Sequence, residues 1–337
     1  RGGGCRCDRG YMRRFGKWLG RALLGCAALG SLLYFLGPYE PVETDVSFDP
    51  QRFGEGVEAY FASVESAYDD ITEGVQKRVV WAGEAEARTP LSVLYIHGFS
   101  ATSEEIRPVP DRVAAALGAN LVYTRLTGHG RGGAAMAEAS AGDWMRDTAE
   151  ALAAARAVGD EVIVISTSTG GTLAALAMLD PAMREGVKGA VFVSPNFGLN
   201  DPLAWVLTLP AARYFVPLIA GQERSWAAAN AQQEKYWSTR YPTVSVLPMA
   251  ALVKEALARD YSGVTVPALF HYASDDQVVD AEATAYFAAH WGGAVSEALL
   301  ADEARVEDSR HVLAGDIVSP EQTEVASGII LNWINGL

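Results

Sequence analysis

Cysteine is scarce in this sequence of 337 residues, and its three copies, Cys5, Cys7 and Cys26, all lie near the N-terminus. The rest of the chain therefore offers neither a disulfide nor a thiol nucleophile. Cys5 and Cys7 are separated by one residue, but they lack the further ligands that a zinc site needs. Cysteine chemistry is thus excluded from the body of the protein.

Positive charge is also scarce after residue 21. Of the 27 lysines and arginines, seven lie in residues 1–21, which leaves 20 basic against 40 acidic residues in the remainder. A body this acidic is a poor candidate for binding nucleic acid or anionic lipid headgroups. The glycine-rich segment at 128–133 lacks both the lysine of a P-loop and the spacing of a dinucleotide site, so we interpret it as a surface turn.

One long apolar run is present, WLGRALLGCAALGSLLYFLG at residues 18–37, and Arg21 is its single charge. About twenty residues suffice for a helix to cross the hydrocarbon core of a bilayer. Basic residues precede the run and acidic residues follow it, so the positive-inside rule places the N-terminus in the cytoplasm and the body in a periplasm-like space. We therefore predict a basic segment and membrane anchor in residues 1–37, followed by a linker in residues 38–50.

Other interpretations of the N-terminal segment stay open. The stretch Leu23-Leu24-Gly25-Cys26 resembles a bacterial lipoprotein processing site, although most of the apolar length follows it. A cleaved signal peptide is a second option, although a small-residue cleavage site is not evident. A buried helix of a soluble protein is disfavoured because the run has little polar face. The sequence begins with arginine, and Met12 is a candidate start residue.

Residues 51–337 alternate between strand-like and helix-like patterns. Apolar and β-branched runs predict strands at 79–81, 91–96, 121–125, 162–165, 190–194 and 268–273, with a weak strand near 304–308. Helices are predicted at about 52–71, 104–117, 143–157, 281–290 and 321–335. This alternation predicts one α/β domain with a mostly parallel central sheet and helices on both faces. Ligands of such sheets bind beyond the carboxyl ends of the strands, so the turns there are the candidate sites.

A serine-rich turn stands out in the segment EVIVISTSTGGTLAALAM, residues 161–178. A β-branched run breaks off at this turn, and an Ala/Leu-rich segment of helical character follows. Such a turn projects a serine hydroxyl from the sheet and points the first N–H groups of the helix at any negative charge beside it. Ser168 is at the centre of a pattern close to GxSxG, with Ser166 in place of the first glycine. The alternative is an ordinary turn in a βαβ unit.

A serine nucleophile needs a base, and five histidines are available. We select His311, which lies in a loop late in the chain, after the weak strand. His271 and His290 fall within a strand and a helix and are assigned structural roles, while His97 comes before the sequence has produced any acid to orient it. The base is therefore expected at the C-terminal side of the domain.

The acid that orients the base is expected in a strand-end turn between the serine and the histidine. The turn ASDDQVV after the strand at 268–273 supplies Asp275 and Asp276. We favour Asp276, which directly precedes the Gln-Val-Val run. The alternative for either residue is a solvated carboxylate in a turn.

These elements resemble the α/β-hydrolase superfamily. The order Ser168, Asp276, His311 is similar to the family's order of nucleophile, acid and base, and the turn His97-Gly98-Phe99 resembles its HG motif. Monoacylglycerol-lipase-like and carboxylesterase-like members are the most similar, because they share a Gly-His-Gly turn, a D-x-V-V acid turn and an H-V-L stretch after the histidine.

The resemblance implies further roles for individual residues. The backbone N–H groups of Phe99 and Thr169 would form the oxyanion hole, and His129 would shape its loop without taking part in the chemistry. The long segment between Ser194 and Ala268 is rich in aromatic and apolar residues. The resemblance implies that it is a helical cap inserted after the sixth strand, at about residues 196–265. An apolar cap suits a hydrophobic acyl group, although its aromatic residues also have a packing interpretation.

The function implied by the resemblance is that of an esterase-like or lipase-like serine hydrolase that cleaves carboxylic esters through an acyl-enzyme. Neither a metal nor an organic cofactor is expected to be required. Two alternatives stay open: cleavage of amides or peptides by the same triad, and a membrane-tethered binding protein on an inactive hydrolase scaffold.

Overall fold

The structure, a computed structural model, describes residues 9–337, with side chains from Arg14 onward, so Cys5 and Cys7 lie outside the described residues. In chain order its helices and strands are α1 (Arg9–Leu36), α2 (Val57–Glu65), β1 (Arg78–Val80), β2 (Thr89–Ile96), α3 (Val109–Leu117), β3 (Asn120–Tyr123), α4 (Ala141–Val158), β4 (Gly159–Thr167), α5 (Thr169–Leu179), α6 (Pro181–Arg184), β5 (Val187–Val193), α7 (Ala212–Ala220), β6 (Glu223–Ser225), α8 (Ala231–Tyr236), β7 (Arg240–Pro242), α9 (Val246–Leu257), β8 (Ala268–Tyr272), α10 (Ala281–Ala289), β9 (Val295–Leu299) and α11 (Thr323–Ile334). Short 3-10 helices lie at Pro50–Phe53, Ala134–Glu138, Ala204–Thr208, Thr243–Ser245 and Pro320–Gln322.

A seven-stranded sheet forms the centre of the molecule, in the order β1-β3-β2-β4-β5-β8-β9. Each strand is parallel to its neighbours, except β1, which is antiparallel to β3. The carboxyl ends of β2, β4, β5, β8 and β9 therefore meet along one edge. This arrangement confirms the predicted α/β fold with a mostly parallel sheet.

Two buried clusters, one on each face of the sheet, explain why the central strands are apolar at nearly every position. Leu94 and Val164 belong to the cluster shared with α4 and α5. Their neighbours Tyr95 and Ile165 belong to the cluster shared with α3 and α11. Successive residues of a strand point to opposite faces, so a strand with helices on both sides has to be apolar on both. The prediction of helices on both faces is confirmed.

A long insertion separates β5 from β8 and contains α7, α8, α9 and a two-stranded antiparallel ribbon of β6 and β7. It lies between the two strands where it was expected, but the strand before it is the fifth in the chain, β5, and not the sixth. Among the described residues, the chain ahead of β1 forms α1, the 3-10 helix at Pro50–Phe53 and α2, so it supplies no additional strand to the sheet. The carboxyl end of β5 brings the insertion to the edge where the other parallel strands end.

Some element boundaries also differ from the expected ones. The last strand is β9, and residues 304–308, expected to be a weak strand, are irregular. The side chains of β9 are alternately exposed and half-buried, so this edge strand carries little apolar signal. α2 ends at Glu65 rather than near residue 71, and α3 begins at Val109 rather than near 104. Pro108 immediately precedes α3, a position where proline disfavours helical geometry in the residue before it.

The N-terminal helix α1 lies outside the core. Its segment Arg14–Leu36 is fully exposed and, by length and composition, is able to cross a membrane or to act as a signal sequence. The chain after it contacts the insertion, because Ala211 N–H donates a hydrogen bond to Pro38 O (2.7 Å) and Arg213 forms an ion pair with Glu40. The end of α1 is thus adjacent to the start of α7.

Candidate active site

Ser168 occupies a strained turn between the end of β4 and the start of α5. Its backbone angles are φ 51° and ψ −119°, a region that costs a non-glycine residue about 1–3 kcal/mol. Hydrogen bonds hold the turn in place, since Ser168 N–H donates to Val193 O (3.1 Å) and Asn196 N–H donates to Ser168 O (2.9 Å). A serine held in a strained strand-to-helix turn is typical of a nucleophile elbow.

Ser166, the departure from the GxSxG pattern, has a clear structural position. Its side chain is fully buried, and its hydroxyl donates a hydrogen bond to Val191 O on the neighbouring strand β5 (2.9 Å). A serine is therefore accommodated behind the turn because the adjacent strand satisfies its polar group. The hydroxyl of Ser166 is directed into the sheet and not toward the carboxyl edge.

Two glycines bring the HG turn after β2 against this serine turn. A Cβ atom added at Gly170 would lie 2.2 Å from Ile96 O, and one at Gly98 would lie 3.0 Å from Ser168 Cβ. Only glycine permits such close approach of the two backbones. Phe99 and Thr169, the two expected oxyanion donors, lie in these adjoining turns. Within residues 9–337, neither of their N–H groups donates a hydrogen bond to another backbone group.

Asp276 and His311 are joined by a hydrogen bond of 2.8 Å between Asp276 Oδ2 and His311 Nδ1. The other carboxylate oxygen accepts the N–H groups of Val278 (2.7 Å) and Val279 (2.9 Å), which fixes the carboxylate in the turn after β8. Asp276 is 3% exposed. Its buried charge is therefore satisfied by three hydrogen bonds, one of which orients the imidazole.

The neighbouring Asp275 has different surroundings. Its side chain is 61% exposed and forms an ion pair with Arg310, with 2.6 Å between Asp275 Oδ1 and Arg310 Nε. The structure thus directs one carboxylate of the pair to His311 and the other to the surface.

The imidazole of His311 is surrounded by carboxylates. Burial works to lower its pKa, but the hydrogen bond to Asp276 and the nearby charges of Glu105 and Glu307 outweigh burial and raise the pKa above its ordinary value of 6.5. Glu307 also accepts the backbone N–H groups of His311 (2.6 Å) and Val312 (2.9 Å), which fixes the loop. Burial works to raise the pKa of Glu307, but the hydrogen bonds from Ser309, Val312 and His311 outweigh it and hold this pKa below its ordinary value.

Ser168 and the Asp276–His311 pair lie at the same sheet edge, at the ends of β4 and β8 and in the loop after β9. In the described part of the chain, no hydrogen bond joins the Ser168 hydroxyl to His311, whose Nδ1 is already bonded to Asp276. Such contacts are often loose before substrate binds. Ser168 is 7% and His311 8% exposed, so the group is nearly covered.

The other histidines have structural partners. His97 uses both ring nitrogens, since Leu126 N–H donates to its Nε2 (3.1 Å) and its Nδ1 lies 2.9 Å from Gly98 O. Burial lowers the pKa of His97 to about 4. His129 packs against it with 5.1 Å between ring centroids, and His271 is bonded through Nδ1 to Ala298 O (2.7 Å). In the described part of the chain, His311 is the histidine whose ring is hydrogen-bonded to a carboxylate.

The insertion covers the site through contacts with the HG turn. Tyr241 packs edge-on against Phe99, with 5.3 Å between ring centroids, and Ser238 N–H donates to Ser100 O (2.7 Å). On the other side, Asn196 contacts Met249 Sδ on α9 (3.0 Å). Among the described residues, no group of three or more histidine, cysteine, aspartate and glutamate side chains is arranged to hold a metal ion.

Two carboxylates beside the candidate site, Glu105 and Glu307, were not singled out from the sequence. Both lie in loops between helices and strands. In a loop, the sequence around a buried acidic residue looks the same as the sequence around a solvent-exposed one. Glu105 is 3% exposed, and its Oε2 accepts the N–H of Gly98 (2.7 Å). Only the tertiary structure, which buries Glu105 against the HG turn and half-buries Glu307 in the His311 loop, distinguishes them from surface acids.

Comparison with known proteins places the chain among hydrolases by sequence and by fold. The family model Hydrolase_4, described as serine aminopeptidase, S33, matches residues 88–305. No curated protein matches the chain by sequence.

Several solved structures share the fold. A structure from the metagenome-derived lipolytic enzymes LipS and LipT has a TM-score of 0.61 and 21% identity, over 79% of this chain and 100% of that chain. The monoacylglycerol lipase of Paleococcus ferrophilus has a TM-score of 0.53 and 12% identity, over 77% of this chain and 99% of its own. A soluble variant of the monoglyceride lipase of Saccharomyces cerevisiae has a TM-score of 0.54 and 11% identity, over 77% and 91%. At these identities the likeness is one of fold.

Proposed function

The chain belongs to the α/β-hydrolase family described as serine aminopeptidase, S33, and from this membership we propose that it is a serine hydrolase that cleaves carboxylic esters. The observation that carries the proposal is the 2.8 Å hydrogen bond between Asp276 and His311 at the sheet edge where the strained Ser168 lies. The lipolytic enzymes and monoacylglycerol lipases that share the fold support the choice of esters. The cap of apolar and aromatic residues supports a hydrophobic acyl group.

In the proposed mechanism Ser168 Oγ attacks the ester carbonyl while His311 Nε2 takes the hydroxyl proton. Asp276 holds the imidazole by Nδ1 and stabilises the imidazolium that forms. The N–H groups of Phe99 and Thr169 bind the oxyanion, and losing one such donor typically costs about 100-fold to 1,000-fold in rate. Collapse of the intermediate expels the alcohol, which takes the proton from His311. Water then attacks the acyl-enzyme while His311 takes its proton. His311 gives this proton to Ser168 Oγ as the bond between serine and the acyl group breaks, and the carboxylic acid leaves.

Hydrolysis of aryl esters tests the reaction class. We expect the purified full-length protein in detergent to hydrolyse p-nitrophenyl esters and to favour medium or long acyl chains over acetate, because the cap is apolar. We also expect a fluorophosphonate probe to label Ser168, as an activated serine forms a stable phosphonyl adduct. Intact-mass and peptide mass spectrometry identify the labelled residue. A folded protein that neither hydrolyses the esters nor reacts with the probe would favour the inactive binding scaffold.

Amide or peptide cleavage is a second candidate, favoured by the family description, which names an aminopeptidase. The same triad serves both reactions, so the distinction lies in the cap and in the leaving group. Matched p-nitrophenyl esters and p-nitroanilides of one acyl group separate the two. A higher kcat/KM for aminoacyl anilides than for the matched esters would replace esterase by peptidase in the proposal.

We further propose that α1 anchors the protein in a membrane with the body on the periplasmic side. The support is the exposed apolar segment Arg14–Leu36, together with the basic residues that precede it and the acidic residues that follow. The contact of Pro38 with Ala211 holds the insertion near the end of this helix. We expect the full chain to resist carbonate extraction and the body to be digested when protease is added to the periplasmic side. Recovery of the protein in the cytosolic fraction would contradict the anchor.

A further inference from the structure

Glu105 is a buried carboxylate beside the candidate site that the mechanism above does not use. Its Oε2 accepts hydrogen bonds from Gly98 N–H (2.7 Å) and from the Tyr95 hydroxyl (3.1 Å), which also lies 3.1 Å from Thr167 Oγ1. A chain of contacts therefore links the HG turn to the residue before Ser168. Both donors to Glu105 are neutral groups, and a buried carboxylate with only neutral partners is costly. Its position suggests a role beyond packing.

The second oxygen of Glu105 borders the space beside the serine. A Cβ atom added at Gly98 would lie 2.7 Å from Glu105 Oε1 and 3.0 Å from Ser168 Cβ. The carboxylate and the serine side chain thus both lie next to the position that a Cβ atom of Gly98 would take. Because Gly98 N–H is bonded to Glu105, the carboxylate also fixes the orientation of the peptides that lead to Phe99 N–H.

The loop that carries His311 packs on the backbone of Glu105. A Cβ atom added at Gly315 would lie 2.9 Å from Glu105 O, and Asp316 N–H donates to Arg107 O (2.8 Å). This packing joins the segment of Glu105 to the loop of His311, and the charge of Glu105 acts to raise the pKa of His311. Burial raises the pKa of Glu105 to about 7, against the opposing effects of Gly98 N–H, His311 and the Tyr95 hydroxyl. Glu105 therefore changes charge in the neutral pH range.

We propose that Glu105 is a positioning residue of the proposed hydrolase site, which holds the oxyanion turn through Gly98 and, when ionised, stabilises the imidazolium of His311. The kinetic effects of this role rest on the proposed function. The charge effect has a definite sign: as the pH rises and Glu105 ionises, His311 holds its proton more tightly. Asp276 is hydrogen-bonded to the imidazole, and the nearby charges of Glu105 and Glu307 also favour its protonated form. Removing the charge of Glu105 should lower the pKa of His311.

Two substitutions separate the hydrogen bond from the charge. Glu105→Gln keeps an oxygen that accepts Gly98 N–H but removes the charge, so we expect kcat to fall by less than about tenfold. The ascending limb of the pH profile of kcat/KM should move to lower pH, since this limb reports the base of the free enzyme. Glu105→Leu removes both the hydrogen bond and the charge. We expect kcat to fall roughly 100-fold, as it does when one oxyanion donor is lost, and KM to change less. Glu104→Gln, half-buried and ion-paired with Arg107 and Arg78, is the matched control and should leave the profile unchanged.

A second readout does not depend on esterase activity. The imidazole signals of the full-length protein, labelled at histidine in detergent micelles, are followed by NMR against pH, with His311→Gln assigning the signal. We expect the His311 pKa to be lower in Glu105→Gln than in the wild type. An unchanged His311 titration would overturn the charge role, and wild-type kcat in Glu105→Leu would overturn the positioning role. A shifted titration in a protein that hydrolyses no ester would leave this coupling in place and contradict only the proposed function. If Glu105→Leu does not fold, Glu105→Gln alone decides.

Discussion

Ser168→Ala is expected to reduce ester hydrolysis on the order of 10⁶-fold in kcat, the loss typical of removing the nucleophile of a serine triad. The backbone should be unaffected, because the hydrogen bonds that hold the turn use only the N–H and C=O of Ser168. Alanine has the same backbone restriction as serine at φ 51°, so the strain of the turn persists in the variant. The measurement is kcat and kcat/KM for a p-nitrophenyl ester, with circular dichroism to verify folding.

The matched control for this variant is Ser166→Ala, two residues earlier in the same turn. It removes the buried hydrogen bond to Val191 O, so we expect a loss of stability of about 0.5–1.5 kcal/mol. Its kcat should stay within about tenfold of the wild type, because the Ser166 hydroxyl does not face the carboxyl edge. If the two serines exchanged these effects, Ser166 would be the nucleophile. If Ser168→Ala kept wild-type kcat, the proposed mechanism would be wrong.

The fold and the family could be predicted from the sequence because both depend on strong local patterns. A strand buried on both faces has to be apolar throughout, and residues 162–165 carry that signal without any tertiary information. The candidate site was predictable to the extent that it follows strand ends. In a parallel sheet those ends meet at one edge, so Ser168, Asp276 and the HG turn were expected to lie near one another before their distances were known.

The parts that could not be predicted depend on contacts between distant segments. The edge strand β9 is defined by its pairing with β8, whereas its own residues Val295–Leu299 are mostly exposed. The burial of Glu105 results from contacts with β2, the HG turn and the loop that follows His311, and no local pattern distinguishes it from its half-buried neighbour Glu104. The choice between two adjacent aspartates has the same difficulty, because sequence spacing alone allows either to reach the histidine.

Asp276→Asn, at the acid of the proposed triad, is expected to lower kcat about 10⁴-fold, as the same change does in a serine protease triad. The substitution keeps an oxygen that accepts the N–H groups of Val278 and Val279, so the turn should be preserved. The new amide would present an N–H donor to His311 Nδ1, which favours the tautomer with its proton on Nε2. That tautomer is unable to accept the proton of Ser168. Loss of the charge should also lower the His311 pKa and move the ascending limb to lower pH.

Asp275→Asn is the matched control, because it makes the same chemical change one residue away. It removes an exposed ion pair with Arg310, which contributes at most about 1 kcal/mol to stability, and we expect kcat to stay within a few-fold of the wild type. The comparison excludes a general effect of lost negative charge in this turn, since both variants lose one carboxylate. A large loss in Asp275→Asn with little change in Asp276→Asn would reverse the assignment of the acid. Equal small effects in both would mean that His311 works without an orienting carboxylate, and the 2.8 Å hydrogen bond would then be structural.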